Sequence, residues 1–446
     1  MLSPNTILAR SRFSSARRAG SVDILLSTGT CEGIAVRMEW PLPGLSNGPV
    51  PEVRGTAAPH YRELIDRFAR LFAGGRGGGA LSVYHHGRPV VDVWCGWADA
   101  AGTVPWRENH AALSYSTSKG ITSTVLHVLA GRGLIDYAAP VADYWPEFGA
   151  NGKSTITVAE ALSHRAGLSR IGEFARSVDD LADHRLLEDR LAAAAPDRFR
   201  GIPAYHAISF GTLIGGIARG VTGRGMAELY RTELAEPLGI GDGLGLGAPA
   251  PGAGVALAES FGSATPFGIP SADTVFRLGA RTPIPGAGFL RAIYTDGIER
   301  LSHGPDPAIL RGELPGANGV FTARAVGAVF AAIASESPLL SRPRVRAMSR
   351  VQTWLPDRNM LLPMGWRLGY HSFPVPGAPN SFGHIGFVGS GGWADPDSGL
   401  AVGFVHNWAP EVARLPRDQF VLFGLLPAAV RGAAAAGEPR DLPKAG

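Results

Sequence analysis

Lysine is nearly absent from this chain of 446 residues, although Lys and Arg together number 42. The three lysines are Lys119, Lys153 and Lys444, and arginine carries the positive charge everywhere else. An arginine side chain keeps its proton, whereas a buried lysine can lose its proton and act as a base. A lysine that is retained in such a chain is therefore a candidate for chemistry that arginine cannot perform.

Cysteine, charge and long apolar runs are also scarce. Two cysteines, Cys31 and Cys95, are too few for a disulfide framework or a cysteine-based metal site. No run of eighteen apolar residues occurs, so no membrane span is predicted. The net charge of +4 is spread over scattered arginines, and no nucleic-acid motif accompanies them. We expect a globular protein without a nucleic-acid partner, and the sequence leaves its oligomeric state open.

The periodicity of the apolar residues predicts helices and strands in a definite order. Helices are expected at 61–72, after Lys119, at 178–194 and at 209–235, and a β-hairpin turns at His86-Gly87. Late strands and a closing helix follow in FGHIGFVGSGGWADP, LAVGFVHNW and DQFVLFGLLPAAVRG. Strands at both ends with helices between them imply one sheet assembled from distant parts of the chain, with a helical lobe over it.

The ends of the chain differ from its middle. The first twenty residues are basic and lack the apolar core of a secretory signal, and Met38 could begin a shorter chain. The expected location is therefore the cytoplasm. We expect a disordered extension at 1–55, a single domain at 56–436 and a disordered tail at 437–446. Within the domain, we expect a sheet lobe at about 56–115 and 300–436 and a helical lobe at about 116–299.

The retained Lys119 follows Ser116 by three residues, at a helix start in LSYSTSKG. Positions i and i+3 lie on one helical face, so the hydroxyl and the amine can meet. A serine becomes a nucleophile when a base takes its proton, and the first amides of a helix suit a developing oxyanion. The competing interpretation, which this pair alone favours, is that Ser116 or Ser118 caps the helix. Only Ser116 stands one turn from Lys119.

Two further stretches could complete such a site. Tyr205 precedes a predicted helix, and a phenol near a lysine could shift towards phenolate and take the serine proton. A structural tyrosine at an interface is the alternative. His384-Ile385-Gly386 begins a late strand, where Gly386 would let a substrate lie against the strand edge. His384 could orient that substrate and the amide of Phe387 could hold an oxyanion, although a lone strand histidine is usually structural.

The order of these stretches resembles that of a known superfamily. Ser-x-x-Lys, a tyrosine before a helix and His-x-Gly on a late strand occur in this order in serine β-lactamases and penicillin-binding proteins. Other stretches are similar to the class C-like branch, and most of all to family VIII carboxylesterases: VDVWCGWADAAGTVPW, RGLIDYAAPVADYWPEF, LSHRAGL, AEPLGI and LPGANGVFTARAVGAVFAAIA. The similarity covers roughly residues 60–430.

This resemblance implies a fold, a site and a reaction. The implied fold is α/β (α+β), with an antiparallel sheet flanked by helices and a mainly helical lobe. The implied site comprises the acylated nucleophile Ser116, the coupled base pair Lys119 and Tyr205, and the substrate and oxyanion residues His384, Gly386 and Phe387. The reaction needs no metal ion and no organic cofactor.

Two departures from the superfamily pattern bear on the substrate. Ala207 stands where β-lactamases and peptidases typically have Asn, and His384-Ile385 stands where β-lactamases usually have Lys-Thr. The missing amide, lysine and hydroxyl weaken recognition of β-lactams and D-Ala-D-Ala and leave the acyl-transfer groups in place. We therefore predict a serine hydrolase of small-molecule carboxylic esters. A β-lactamase or D,D-peptidase, and a non-catalytic scaffold with the same fold, are the alternatives.

Overall fold

The structure is a computed structural model that describes residues 21–26, 34–39, 48–75, 77–262, 272–281, 287–302, 307–409 and 420–437. Its strands are β1 (Ser21–Leu26), β2 (Ile34–Glu39), β3 (Arg54–Ala57), β4 (Gly78–His85), β5 (Arg88–Gly96), β6 (His110–Leu113), β7 (Leu244–Leu246), β8 (Ala256–Leu257), β9 (Phe261–Gly262), β10 (Gly319–Phe321), β11 (His371–Ser372), β12 (Phe382–Ile385), β13 (Gly391–Asp395), β14 (Leu400–His406) and β15 (Trp408–Ala409).

The α-helices are α1 (Arg62–Leu71), α2 (Thr117–Gly131), α3 (Val158–Leu162), α4 (His184–Ala193), α5 (Ser209–Thr222), α6 (Met226–Leu229), α7 (Glu236–Leu238), α8 (Ala272–Arg281), α9 (Gly288–Ile293), α10 (Ala323–Ala334), α11 (Arg342–Met348) and α12 (Val421–Ala436). A π-helical segment, Tyr230–Ala235, joins α6 to α7. Short 3-10 turns connect many of the other elements. The predicted combination of helices with an antiparallel sheet is confirmed.

The main sheet has seven antiparallel strands in the order β11-β12-β13-β14-β4-β5-β3. Its centre joins distant parts of the chain, because β14 pairs along its whole length with β4. The β4–β5 hairpin turns at His86-Gly87 as expected, and both residues have positive φ. Helices α1 and α12 pack against each other over one face, and α10 lies against β4, β13 and β14 on the other. The prediction of one sheet built from both ends of the chain is confirmed.

Helix α2 runs through the middle of the molecule, with α5 on one side and β12 and α10 on the other. All residues from Thr117 to Ala130 are buried, so the helix has no solvent-facing side. Its buried hydroxyls find acceptors nearby: Thr122 donates to the carbonyl of Pro315, and Ser123 to that of Lys119. A helix buried all round with its polar groups satisfied is a rigid support for a functional group at its end.

Two long helix predictions are wrong in detail. The 178–194 segment is a 3-10 turn followed by α4, because Asp183 caps a new helix by accepting from the amide of Leu186. The 209–235 segment divides where Gly223 adopts φ 72, a left-handed conformation that ends α5. A π-helical segment follows from Tyr230.

Strands also occur within the range 1–55, where the sequence predicts an extension. β1 pairs with β2 in an antiparallel hairpin, and β3 forms the edge of the main sheet. The remainder of 1–47 and the whole of 438–446 lie outside the described residues. The division into a sheet lobe and a helical lobe stays a prediction.

Candidate active site

Ser116 and Lys119 meet at the start of α2. The Lys119 amine lies 3.1 Å from Ser116 Oγ and donates to the carbonyls of Ala207 and Gly316, both at 2.6 Å. No carboxylate of the described residues pairs with it, and its side chain is wholly buried. Burial lowers the pKa of the Lys119 amine well below its usual value. If the amine is neutral and gives both of its protons to the two carbonyls, its lone pair is left for the Ser116 hydroxyl.

The side chain of Ser116 does not cap α2, contrary to the competing interpretation. It occupies the N-cap position of α2, but its side chain makes no capping hydrogen bond. Ser118 instead has a structural role, because its Oγ donates to the carbonyl of Tyr115 and accepts from the amide of Gly319. The residue before Ser116, Tyr115, has φ 45, which costs roughly 1–2 kcal/mol for a non-glycine residue. That turn holds Ser116 at the edge of the buried helix, where it is half-buried.

Tyr205 lies beside this pair, as the order of motifs predicts. Its hydroxyl is hydrogen-bonded to Ser116, and the Lys119 amine sits 5.0 Å from the centre of its ring. Burial raises the pKa of the Tyr205 phenol well above its usual value, and the charge of Asp357 raises it further. The expected shift towards phenolate is therefore wrong in direction, because burial disfavours the charged form of the phenol.

His384 lies at the carboxyl end of β12 and not at the beginning of a strand, which corrects the prediction. The strand ends there because the amide of Gly386 bonds the carbonyl of Ser390 and closes a tight turn into β13. Gly386 is required by space: a Cβ on it would come within 2.3 Å of the carbonyl oxygen of Ser114. The turn thereby touches the chain that leads into Ser116.

His384 is buried, and burial lowers the pKa of its imidazole well below the usual value. Its Nδ1 lies 3.0 Å from the carbonyl of Ile385, so this nitrogen carries the proton. The other nitrogen, Nε2, has no hydrogen-bond partner among the described residues. A neutral His384 can therefore accept a hydrogen bond from a bound molecule, and it carries no charge with which to hold a carboxylate.

The backbone near Ser116 can hold an oxyanion. Within the described chain, the amide of Ser116 has no acceptor. The amide of Phe387 comes directly after Gly386 in the turn. The Phe387 ring packs edge-on against Tyr115 with 6.0 Å between centroids, so aromatic groups lie beside Ser116. This arrangement suits a substrate with an apolar group next to its reacting carbonyl.

Several neighbours of Tyr205 escape the sequence motifs. Trp366 stacks on the Tyr205 ring at 5.6 Å and 7°. The buried carboxylate of Asp357 accepts from the Trp366 indole at 2.9 Å and from the amide of Tyr205 at 3.0 Å. Asn359 donates to the Tyr205 carbonyl at 2.9 Å. These contacts fix the ring that faces Ser116, and they come from a part of the chain about 150 residues away.

His164, from LSHRAGL, also lies in the site. Its ring packs 5.0 Å from that of Tyr205 and 4.3 Å from that of Trp366. Nδ1 accepts from the amide of His206 at 3.1 Å, and burial holds the pKa of the imidazole well below its usual value. The backbone of His164 has φ 60, so this turn holds the ring against Tyr205 at a cost in strain.

Comparisons with known proteins agree with this geometry. The β-lactamase family model matches residues 62–425. The chain belongs to the β-lactamase family. It is 47% identical over 362 residues to the esterase/β-lactamase LipL of Mycobacterium tuberculosis, covering 80% of this chain and 83% of LipL.

Solved structures of the family superimpose over most of the chain. A family VIII carboxylesterase has a TM-score of 0.70 at 32% identity, covering 85% of this chain and all of the other. A penicillin-binding-protein homologue from Caulobacter crescentus has a TM-score of 0.70 at 27% identity, covering 86% of this chain and 99% of the other. The resemblance stated from the motifs is confirmed, and the chain is a serine hydrolase rather than a non-catalytic scaffold.

Neither a metal-binding cluster nor a membrane-spanning helix occurs among the described residues. Among the described residues, no group of three or more His, Cys, Asp or Glu is arranged to hold a metal ion. No helix in the described part of the chain is long and apolar enough to cross a bilayer.

Proposed function

We propose that this serine hydrolase cleaves carboxylic esters through a covalent acyl-enzyme on Ser116. The observation that carries the proposal is the Lys119 amine, which pairs with no carboxylate of the described residues, is bonded to two carbonyls and lies 3.1 Å from Ser116 Oγ. A lysine that stays neutral at ordinary pH is a general base.

In the first half of the reaction, Ser116 Oγ attacks the ester carbonyl carbon and its proton passes to the Lys119 amine. The amides of Ser116 and Phe387 hold the negative oxygen of the tetrahedral intermediate. As the C–O bond to the alcohol breaks, the alkoxide takes a proton from the Lys119–Tyr205 pair. The high pKa of the Tyr205 phenol favours a role in passing a proton between Lys119 and the leaving oxygen.

In the second half, a water molecule attacks the acyl-enzyme and gives its proton to the same pair. The Ser116–acyl bond then breaks, the acid leaves, and the proton returns to Ser116 Oγ. The neutral Nε2 of His384, buried and without a partner in the described residues, is placed to accept a hydrogen bond from the leaving alcohol or the incoming water. The pair starts and ends in the same protonation state.

The site lacks two groups that would bind an acylated amide, and their absence from Ala207 and His384 favours an ester as the substrate. Ala207 contributes its carbonyl to Lys119 and has no side-chain amide to bind an acylamide group. His384 offers a neutral ring where a lysine would bind the carboxylate of a β-lactam. The carboxylesterase of known structure supports the same substrate class.

A β-lactamase is the second candidate, because the printed name of LipL includes both activities. A chain-length series of p-nitrophenyl esters, run beside nitrocefin and a D-Ala-D-Ala peptide, separates the two. The esters are expected to turn over with kcat/KM at least about a hundredfold higher. Comparable nitrocefin turnover would favour the β-lactamase.

The nucleophile itself is tested by Ser116→Ala, with Ser118→Ala as the matched control two positions further along the chain. Ser116→Ala is expected to lower kcat on p-nitrophenyl butyrate by more than about 10³-fold, because no other hydroxyl is bonded to Lys119. Ser118→Ala should retain activity and lose some stability, because its hydroxyl ties Gly319 to α2. Full activity of Ser116→Ala would overturn the mechanism.

A further inference from the structure

The 352–366 loop exposes an unusual number of apolar side chains. Among the described residues, nine large hydrophobic side chains are exposed, and four of them lie within ten positions of one another in this loop. Trp354, Leu355, Leu361 and Leu362, called here the apolar tip, are 55–56% exposed. Single exposed leucines are ordinary on a protein surface, but a contiguous group marks an interaction site.

The apolar tip is one contiguous surface. Its two halves, Trp354-Leu355-Pro356 and Leu361-Leu362-Pro363, flank the buried Asp357. They lie side by side because the amide of Asp357 bonds the carbonyl of Leu362 at 2.9 Å, and the amide of Leu361 bonds the carbonyl of Asp357 at 2.7 Å. The base of the loop is closed by the Gln352 amide, which bonds the Trp366 carbonyl at 2.7 Å. This is the compact form of an Ω-loop.

The loop holds Leu361 outwards at an energetic cost. Leu361 has φ 61, a conformation that bulky residues rarely adopt. The apolar Leu361 side chain is exposed, whereas the acidic Asp357, four positions earlier in the same loop, is fully buried. Exposure combined with backbone strain indicates that the apolar tip serves a purpose other than folding.

The same loop holds the proposed catalytic Tyr205. Asp357 and Trp366 anchor the Tyr205 backbone and ring, and the amide of Arg358 bonds the carbonyl of Pro203 at 2.9 Å. Ile202, which precedes Pro203, is also exposed. The apolar surface is therefore built on the residues that position the active site, and a molecule bound to it would lie close to that site.

The charge of the surrounding segment favours an anionic partner. Between Glu336 and Asp395 there are six arginines, and the single acidic residue is the buried Asp357. Arg342 and Arg346 lie on α11, Arg350 follows the end of that helix and Trp354 comes four positions later, and all four side chains are exposed. No carboxylate of the described residues pairs with these three guanidinium groups. Arginines beside exposed Trp and Leu are the composition of segments that lie in a lipid–water interface.

We propose that the apolar tip docks on an anionic lipid surface, with Arg346 and Arg350 against the headgroups. The leucines and Trp354 would enter the boundary between headgroups and acyl chains. Docking would present the cleft beside Tyr205 to esters held in that surface. The statement about substrate rests on the proposed esterase activity, whereas the docking itself does not.

Binding to vesicles tests the proposal directly. Sedimentation with vesicles of phosphatidylglycerol and phosphatidylcholine is compared with vesicles of phosphatidylcholine alone. Ser116→Ala protein is used alongside the wild type, so that binding is measured without hydrolysis. We expect binding of both proteins to the anionic vesicles, and weaker binding to the neutral ones, with an affinity that falls as salt is added.

Two variants locate the surface. Leu355→Asn/Leu361→Asn/Leu362→Asn removes the three leucines of the apolar tip, and Asn accepts the positive φ at 361. We expect the partition coefficient to fall by at least about tenfold. Leu134→Asn is the control, since Leu134 is 47% exposed and lies outside the 352–366 loop. Arg346→Glu/Arg350→Glu should abolish the preference for anionic vesicles. Arg62→Glu/Arg88→Glu, at exposed positions that begin α1 and β5, should leave it unchanged.

Hydrolysis of dissolved p-nitrophenyl acetate checks that the Asn and Glu variants, made in the protein that keeps Ser116, are folded, and it should stay near the wild-type rate. The proposal is overturned if the wild type does not bind anionic vesicles, or if the triple-Asn variant binds as well as the Leu134→Asn control. It is also overturned if the variant changes only a monomer–dimer equilibrium, since the surface would then lie between two copies of the chain. An inactive but vesicle-binding wild type would reject the esterase proposal alone.

Discussion

Two buried lysines, Lys119 and Lys153, show what turns an amine into a base. Both side chains are 0% exposed, both amines donate to backbone carbonyls, and each lies near an aromatic ring. Lys153 donates to the carbonyls of Ala150, Ala192 and Ala194, so three acceptors match the three protons of an ammonium. Lys119 has two carbonyls, and its third neighbour is the hydroxyl of Ser116.

The two lysines also differ in how deeply the residues around them are buried. Lys153 sits in a turn whose neighbouring residues at 151–152 and 154–155 are exposed, and burial lowers the pKa of its amine. Lys119 lies inside the fully buried α2, and burial lowers the pKa of its amine well below the usual value. We infer that Lys153 is a charged structural group and that Lys119 is a neutral base.

The largest expected effect comes from Lys119→Met. Loss of the proposed base should lower kcat/KM on p-nitrophenyl butyrate by about 10³-fold or more. Lys119→Met should change the free energy of unfolding less than most replacements of a buried polar residue. The wild-type amine gives up a proton on folding below about pH 10.4, which weakens folding as pH falls towards the folded pKa. Met avoids that cost while leaving two carbonyls without their donor.

Lys153→Met should give the reverse pattern. Three carbonyls lose their donor, so we expect the free energy of unfolding to fall by about 2–4 kcal/mol. The turnover number should stay within about threefold of the wild type, because Lys153 touches no residue of the site. Urea unfolding and ester kinetics on both variants measure the contrast. A Lys153→Met protein that is stable but inactive would break the comparison.

A third change alters the surroundings of Lys119 without touching it. Trp366→Phe keeps a ring stacked on Tyr205 but removes the indole donor to Asp357. We expect kcat to fall by about tenfold with little change in KM, because Tyr205 is less firmly placed relative to Ser116. A purely structural role for Trp366 would lower Tm and leave kcat unchanged. Trp354→Phe, in the same loop but outside these contacts, is the matched control.

The smallest expected effect is in the pH profile. A base works when deprotonated, so the rate is lost as pH falls through the Lys119 pKa. Because burial lowers that pKa well below its usual value, the rise of kcat/KM between pH 7.5 and 9.5 should be much smaller than the rise for an ordinary lysine. A lysine with the ordinary pKa of about 10.4 would give a change of about a hundredfold over this range. The pKa of Tyr205 lies above its usual value, so no phenol titration enters this window. A plot of log kcat/KM against pH with a slope of one across this window would contradict the account.

The sequence predicts the reacting groups better than it predicts what holds them. Ser116, Lys119 and Tyr205 follow from residue type and order, and the structure brings them together. Asp357, Trp366 and the carbonyl of Gly316 have no such signal, because a backbone oxygen or a lone acid acquires its role only from tertiary contacts. The approach of Gly316 to α5 depends on Gly211, where a Cβ would lie 2.1 Å from the amide of Gly316.

The fold divides in a similar way. Apolar periodicity finds α1, the β4–β5 hairpin and the late strands. It misses the break at Gly223, where backbone conformation rather than polarity ends the helix. It also places His384 at the wrong end of its strand, because the turn closed by Gly386 and Ser390 depends on contact with Ser114.

The scarcity of lysine offers the most direct test of the central claim. Protein labelled with ¹⁵N at the lysine Nζ atoms contains three labelled sites, and Lys119→Met and Lys153→Met assign two of them. At pH 7.5 we predict one resonance in the range of a neutral amine, which disappears in Lys119→Met, and two in the range of ammonium groups. Three ammonium resonances at that pH would show that Lys119 is charged, and would contradict its assignment as the base.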